Sequence, residues 1–465
     1  MALYSCDILG CAQPGVRQKA CLICNRRLCA THLKPEQHTC PTWETDEDGC
    51  QEASARAERE EINTLIARIN IGALTARASA LRGGIPCTVP PLAYEPDALL
   101  KTMGGINYHV NVEFEDGVAW FCRIRRRNAS SHPVELQNHG LLSEAATLRF
   151  LATTSVPVPK VHDIATDGPE NPVGVGYILM DKLAGTPMIW EDLNDDGKKK
   201  ILEQLADIFI ELARYPFPDI GCLDESGSLS VGPLVSESAA KRDALGQLHL
   251  LGPFARNLDY RKSIVSHHLD MIRSKETYPS SSADAYLVHR YLLDCLAPLM
   301  RYRESDDQGM YYLKHMDDKG DHILVDDALN IVGIIDWEWA QTTSKREAFA
   351  APIFLLDVQA FYEGRNELSP DEEMLASILE DVGAEELAAI VRDGRIEHRL
   401  AFCVGGTMDD VDSFPALFVG FRRELGCAKH EDTKEEWEFW QKSALSFYKD
   451  DAVLLELMRE SDGEL

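Results

Sequence analysis

Six cysteines and two histidines, Cys6, Cys11, Cys21, Cys24, Cys29, His32, His38 and Cys40, fall within the first 40 residues of this chain. The segments between them are too short to build a hydrophobic core, so this stretch must draw its folding free energy from bound metal. Eight thiolate and imidazole donors make two four-coordinate sites, and that donor mixture favours zinc. The donor pairs alternate along the chain, which predicts interleaved sites. Cys6, Cys11, Cys29 and His32 are assigned to one ion, and Cys21, Cys24, His38 and Cys40 to the other. Disulfide pairing is the competing reading. Met1 to Ala12 has neither the basic start nor the apolar run of a secretory signal, which points to a reducing compartment, cytoplasmic or nuclear. Histidines also have no place in a disulfide framework.

The whole pattern, C-x4-C-x9-C-x2-C-x4-C-x2-H-x5-H-x-C, closely resembles the AN-one-type zinc finger of the ZFAND stress-associated proteins, with all eight positions matching. The resemblance implies a small protein-interaction module with partners of the ubiquitin, proteasome or chaperone class. Within it, Arg17, Lys19, Arg26, Arg27 and Lys34 outnumber Asp7 and Glu36. Such a basic patch can meet RNA or an acidic protein, but the simpler expectation is that it keeps a small module soluble. The chain as a whole has a formal charge of −29, which argues against a nucleic-acid surface. No apolar run reaches the length of a bilayer span, so no membrane association is expected.

Composition shifts after Cys40. Residues 43–84 read as an acidic linker running into a helix: Glu44, Asp46, Glu47, Asp48, Glu58, Glu60 and Glu61, then Ile62, Leu65, Ile66 and Ile69 at helical spacing. From about residue 85, Tyr108–Phe114 and Val118–Ile124 alternate as two strands around Glu115-Asp116-Gly117. A helix is predicted over Leu141–Ala152, a strand over Tyr177–Leu183 and a turn over Ala184–Pro187. Helical patterns then dominate from Asp195 to Met300, and a hairpin is predicted at His322–Val325 and Ile331–Ile335. This order predicts an α+β, bilobal, protein-kinase-like fold. A small β-rich lobe would span 85–185 and a large helical lobe 186–465, the latter carrying a catalytic loop over 311–340. A zinc-binding domain over 1–42 would precede both.

The chemistry concentrates in Lys314-His315-Met316-Asp317-Asp318-Lys319-Gly320-Asp321-His322, followed by Ile334-Ile335-Asp336-Trp337-Glu338. Phosphoryl transfer needs one carboxylate to position and deprotonate the acceptor hydroxyl, and another to hold magnesium against the nucleotide phosphates. Asp317 suits the first task and Asp336 the second. This stretch resembles the catalytic and metal-binding segments of the aminoglycoside phosphotransferase family, which includes choline- and fructosamine-kinase-like enzymes, and most resembles its filamentous-fungal members. The resemblance extends over about four fifths of the chain. It implies ATP as co-substrate, magnesium, and a small hydroxylated acceptor.

On the same resemblance, Gly104 and Gly105 lie where a nucleotide-covering loop belongs, since glycines let backbone N–H groups approach phosphates. Arg123 takes the place of the phosphate-contacting base, with Glu144 as its expected partner. Glu144 shares a helical face with Leu141 and Leu148, and a carboxylate facing the interior needs a cation. His322 departs from the family, which commonly has Asn there as second magnesium ligand. Imidazole is a poor magnesium ligand, so His322 coordinates weakly, contacts phosphate or simply packs, with Asp321 beside it as an oxygen donor. That departure keeps open a catalytically weak or inactive pseudokinase adaptor that binds nucleotide or partner proteins. His315 is read as loop support. Trp337, Trp339 and the surplus of acids suit a cationic acceptor bound against the helical lobe.

Overall fold

The computed structural model describes residues 1–96, 105–225, 229–303, 309–404 and 414–462, so Gly104 lies outside the described residues. The amino-terminal module contains one small antiparallel ladder, β1 (Ala20–Cys21) with β2 (Arg26–Arg27), over a nucleus of Cys6, Leu28 and Cys29. Most of the expected acidic linker is helix. Helix α1 spans Glu47–Arg68 and starts where the Asp46 side chain accepts the Gly49 N–H at 3.0 Å. Of the acids that resembled a linker, Glu47 and Asp48 are first-turn residues, placed where the helix dipole favours negative charge, and Glu58, Glu60 and Glu61 lie within the helix. Asn70 caps α2 (Ile71–Leu81) in the same way.

Helices α1 and α2 cover one face of a five-stranded sheet. Its strands are β3 (Cys87–Thr88), β4 (Asn107–Phe114), β5 (Ala119–Arg125), β6 (Val161–Ala165) and β7 (Tyr177–Asp181), in the antiparallel order β3-β4-β5-β7-β6. Ile62, Leu65, Ile69, Leu74 and Ala78 meet Tyr108, Val110, Val112, Trp120, Cys122, Ile124 and Leu179 there. Helix α3 (Val134–Leu151) packs through Leu141 against Ile178 and Met180, and partly buried Phe121 joins that contact. The helix begins seven residues earlier than its apolar spacing predicts, directly after Pro133. Its first turns pass against the second lobe, and a Cβ on Gly140 would meet Val235 at 3.7 Å.

The large lobe opens with β8 (Thr186–Pro187), which pairs with the later hairpin instead of forming only the expected turn, and α4 (Asp195–Leu212). The predicted run of helices is then broken by four short strands: β9 (Cys222–Asp224), β10 (Ser230–Gly232), β11 (Ala240–Arg242) and β12 (Leu248–Leu250). Three-residue strands carry too little alternation to stand out in sequence. Helices α5 (Asn257–Arg273) and α6 (Ser282–Arg303) follow. The segment over 311–344 is two nested antiparallel pairs. The inner is β14 (Ile323–Val325) with β15 (Ile331–Ile334), and the outer is β13 (Tyr311–Lys314) with β16 (Gln341–Ser344). Helices continue to Asp462. No helix among the described residues is long and apolar enough to cross a membrane.

Candidate active site

Strand alternation decides which way the cations on β5 point. Trp120, Cys122 and Ile124 face α1 and α2, so Arg123 and Arg125 face the opposite side, toward α3 and the large lobe. Arg123 is buried and meets three carboxylates there. It donates through Nη2 to Glu144 and, at 3.2 Å, to Glu338 Oε2; through Nη1 it donates to Asp336 Oδ1 at 2.7 Å. Arg125 Nη1 lies 2.7 Å from Glu338 Oε2. The cluster therefore sets two guanidinium groups against three carboxylates. Burial pushes the Glu144 carboxyl up to about 7 and outweighs the Arg123 charge, while Glu338 and Asp336 push it further up. For Arg123, burial works against the charge, but Glu144, Glu338 and Asp336 more than restore it and hold its pKa above the ordinary arginine value.

Asp336 follows β15 with φ of +61°, and its carboxylate pairs with Arg123 while half of the side chain stays exposed to solvent. His315 ties the two halves of the loop together. Its Nε2–H donates to the Ile335 carbonyl at 2.8 Å, which fixes the 315–322 loop to the residue before Asp336. Burial lowers the His315 pKa, opposed by the bond to the Ile335 carbonyl and by the charges of Asp318, Asp336 and Asp317. Asp317 and Asp318 then divide their roles. Asp317 is 40% exposed and pairs with Lys319 Nζ at 2.7 Å. Asp318 is buried; its Oδ1 accepts the Ile353 N–H at 3.2 Å, and it pairs with Lys314 at 3.5 Å.

His322 is placed differently from the expected magnesium ligand. Its ring is buried and stacked on His315 at 4.1 Å, and its Nδ1 accepts the Gly320 N–H at 3.3 Å. Burial, followed by the charges of His315 and Lys319, holds its pKa down to about 2, so the ring is neutral. A neutral ring that accepts at Nδ1 carries its proton on Nε2 and offers no lone pair to a cation. In this arrangement His322 packs the loop. The aromatic expectation also changes. Trp337 is a core residue, 2% exposed, whose indole donates to the Ile334 carbonyl. Trp339 packs against Arg125 and His132.

Gly105 is exposed in the turn entering β4, with open space where a Cβ would stand. Arg125, Glu338 and Lys319 were not singled out from sequence. Arg125 shares the Arg123 face by strand alternation, and Glu338 stands two residues beyond Asp336, so both signals were present.

In the amino-terminal module the donors gather in two sets: Cys6, Cys11, Cys29 and His32, and Cys21, Cys24, His38 and Cys40. Within each set the donor atoms lie within 4.8 Å of one another. His32 Nδ1 is 3.4 Å from Cys6 Sγ and 3.2 Å from Cys29 Sγ, and His38 Nε2 is 3.6 Å from Cys24 Sγ. Three thiolates and one imidazole in such proximity fit a tetrahedral metal site in each case.

Residues 104–343, more than half of the chain, match the model of a family described as "Phosphotransferase enzyme family". Among curated proteins, a subtelomeric hrmA-associated cluster protein of Aspergillus fumigatus is 32% identical over 133 residues, 28% of this chain. That aligned stretch spans a quarter of the relative's length. Among solved structures, the Plasmodium vivax ethanolamine kinase is 12% identical with a TM-score of 0.44, over 72% of this chain and 83% of that one. Aminoglycoside phosphotransferase APH(4)-Ia, in a ternary complex with AMP-PNP and hygromycin B, is 14% identical with a TM-score of 0.44, over 77% of this chain and 99% of that one.

Proposed function

The chain belongs to the phosphotransferase enzyme family, and on that footing we propose that it transfers the terminal phosphoryl group of ATP to a hydroxyl of a small molecule. The observation that carries this reading is the Arg123 node, where a cation on the small lobe's sheet is ion-paired with Glu144 and with Asp336 of the large lobe's loop. Phosphoryl transfer asks little covalent chemistry of a protein; catalysis is positioning and charge stabilisation. In the proposed site Gly105 lets the backbone approach the phosphates. Arg123 presents its guanidinium to phosphate oxygens, held in orientation by Glu144 and Glu338. Asp317 orients the acceptor hydroxyl and takes its proton.

Magnesium fits this donor set at Asp336, whose half-exposed carboxylate supplies hard oxygen. Such an ion takes one or two carboxylates plus substrate phosphates and keeps its remaining waters, so no protein cage is required. The surplus carboxylate in the cluster favours a cation there. When bound, magnesium neutralises charge on the phosphate oxygens. The two cysteine–histidine sets are proposed to hold structural zinc, which requires reduced thiols and so a reducing compartment, cytoplasmic or nuclear.

A second reading, a nucleotide- or partner-binding protein without turnover, is favoured by one feature, the loop-packing role of His322. The experiment that separates them is ADP release with ATP, magnesium and a panel of hydroxylated metabolites, repeated on Asp317→Asn. Acceptor-dependent ADP release that Asp317→Asn abolishes is the expected result. Release unchanged by that substitution contradicts the assignment.

A further inference from the structure

The metal-binding module is wedged into the body of the protein. Arg17 is buried, with Nη2 2.8 Å from Glu276 Oε2 and Nη1 donating to the carbonyls of Glu237 and Ala240. Leu3 joins Leu136 of α3 and Val235 and Ala240 of the large lobe in one apolar cluster. Two of the five cations expected to keep this module soluble, Arg17 and Arg27, are thus spent inside the molecule. A buried guanidinium without its partners is costly, so this contact has one register.

Arg27 connects the first donor set to the active-site cluster. Its backbone N–H donates to Asp7 at 2.6 Å, and the Asp7 N–H donates back to the Arg27 carbonyl at 2.9 Å. Asp7 follows the donor Cys6, and Arg27 lies two residues before the donor Cys29, so the donor set fixes the Arg27 backbone. The Arg27 side chain, packed over the Tyr4 ring at 3.5 Å, donates to the Ala129 carbonyl at 2.9 Å and lies 3.9 Å from Glu237. Ala129 and His132 stand in the loop joining β5, which carries Arg123 and Arg125, to α3, which carries Glu144. His132 faces Glu237 at 3.7 Å and meets Trp339 edge-on at 5.6 Å. Trp339 packs under Arg125, which pairs with Glu338, which pairs with Arg123.

We propose that the metal-binding module is an internal brace of the nucleotide site, with Arg27 a positioning residue acting through the Ala129–His132 loop. The proposal rests on the reading of the Arg123 cluster as a nucleotide site. It gives the module a task within this chain: metal at Cys6, Cys11, Cys29 and His32 holds Arg27, and Arg27 holds the loop that spaces Arg123 from Glu144.

The test is calorimetric titration of the full-length, zinc-loaded protein with ATP and magnesium, with zinc content measured on each variant. Arg27→Met is expected to keep two zinc equivalents while weakening ATP binding about three- to thirtyfold. Arg26→Met, an exposed neighbour, is expected to bind as wild type does. His132→Ala, which lies outside the module and its donor sets, is expected to weaken ATP binding as well, and the double variant less than the product of the two singles. A purely structural role lowers the melting temperature and leaves the affinity of the folded protein alone. Wild-type affinity in Arg27→Met overturns the brace; should that variant not fold, wild-type affinity in His132→Ala overturns it. A wild-type protein that binds no ATP overturns the nucleotide-site reading itself, and the brace with it.

Discussion

Arg123 and Asp336 are separated by 213 residues in sequence and by 2.7 Å in space, and this ion pair joins the small lobe's sheet to the large lobe's loop. Arg123 also carries the Glu144 pair and shares Glu338 with Arg125. Arg123→Met is expected to destabilise the protein by about 3–5 kcal/mol, because it leaves the buried Glu144 carboxylate without its cation. Urea unfolding measures this; a loss below about 1 kcal/mol would show that the cluster re-pairs through Arg125.

Asp317 and Asp318 should separate cleanly on substitution. Asp317→Asn is expected to lower kcat by about 10²–10⁴ while leaving ATP affinity near wild type, since the carboxylate acts on the acceptor proton. Asp318→Asn is expected to lower stability, since Asp318 accepts the Ile353 N–H and pairs with Lys314 inside the protein. Steady-state kinetics beside thermal unfolding distinguish the two. The opposite assignment, with kcat lost only in Asp318→Asn, would move the base by one residue.

What could be read from sequence follows the range of the interaction. The eight donors of the first 40 residues gather in two sets that match the alternate pairing, because a donor set suited to metal is marked by residue type and short spacing. The β4–β5 and β14–β15 hairpins likewise follow local alternation and turn residues. Long-range docking was not legible: Arg17 meets Glu276 across 259 residues with no signal in either segment. Some local features were too weak to read, the Asp46 cap within an acidic stretch and the three-residue strands β9 to β12, which hold only by pairing with a neighbour. His322 shows the same limit. Its residue type raised the question of metal binding, but its stacking on His315 and the Gly320 hydrogen bond are visible only in three dimensions.

Metal content follows from the two donor sets. The purified protein is expected to hold two zinc equivalents, with Cys29→Ser and Cys40→Ser each retaining one, since they belong to different sets. Elemental analysis gives the count. A loss of both ions on either substitution would show that the sets do not load independently.

Buried histidines set the acid limit. Burial, opposed by the bond to the Ala285 carbonyl, holds His289 down to about 4. Burial, aided by the Arg395 and Lys314 charges, holds His398 down to about 3. A histidine depressed in the fold contributes stability that is present above its unfolded value of 6.5 and is lost as pH falls from there toward the folded value. Each should remove about 1.4 kcal/mol per pH unit below that point. Urea unfolding across this range is expected to show falling stability, with a shallower slope in His289→Gln. A slope unchanged by that substitution would remove His289 from the account.

The measurement closest to the central claim is calorimetric titration of the wild-type protein and Asp336→Asn with ATP, with and without magnesium. The account predicts magnesium-dependent ATP binding in the wild type, weakened at least about tenfold in Asp336→Asn. A wild type that binds no ATP, or an Asp336→Asn protein that binds ATP and magnesium as tightly as wild type, would contradict it.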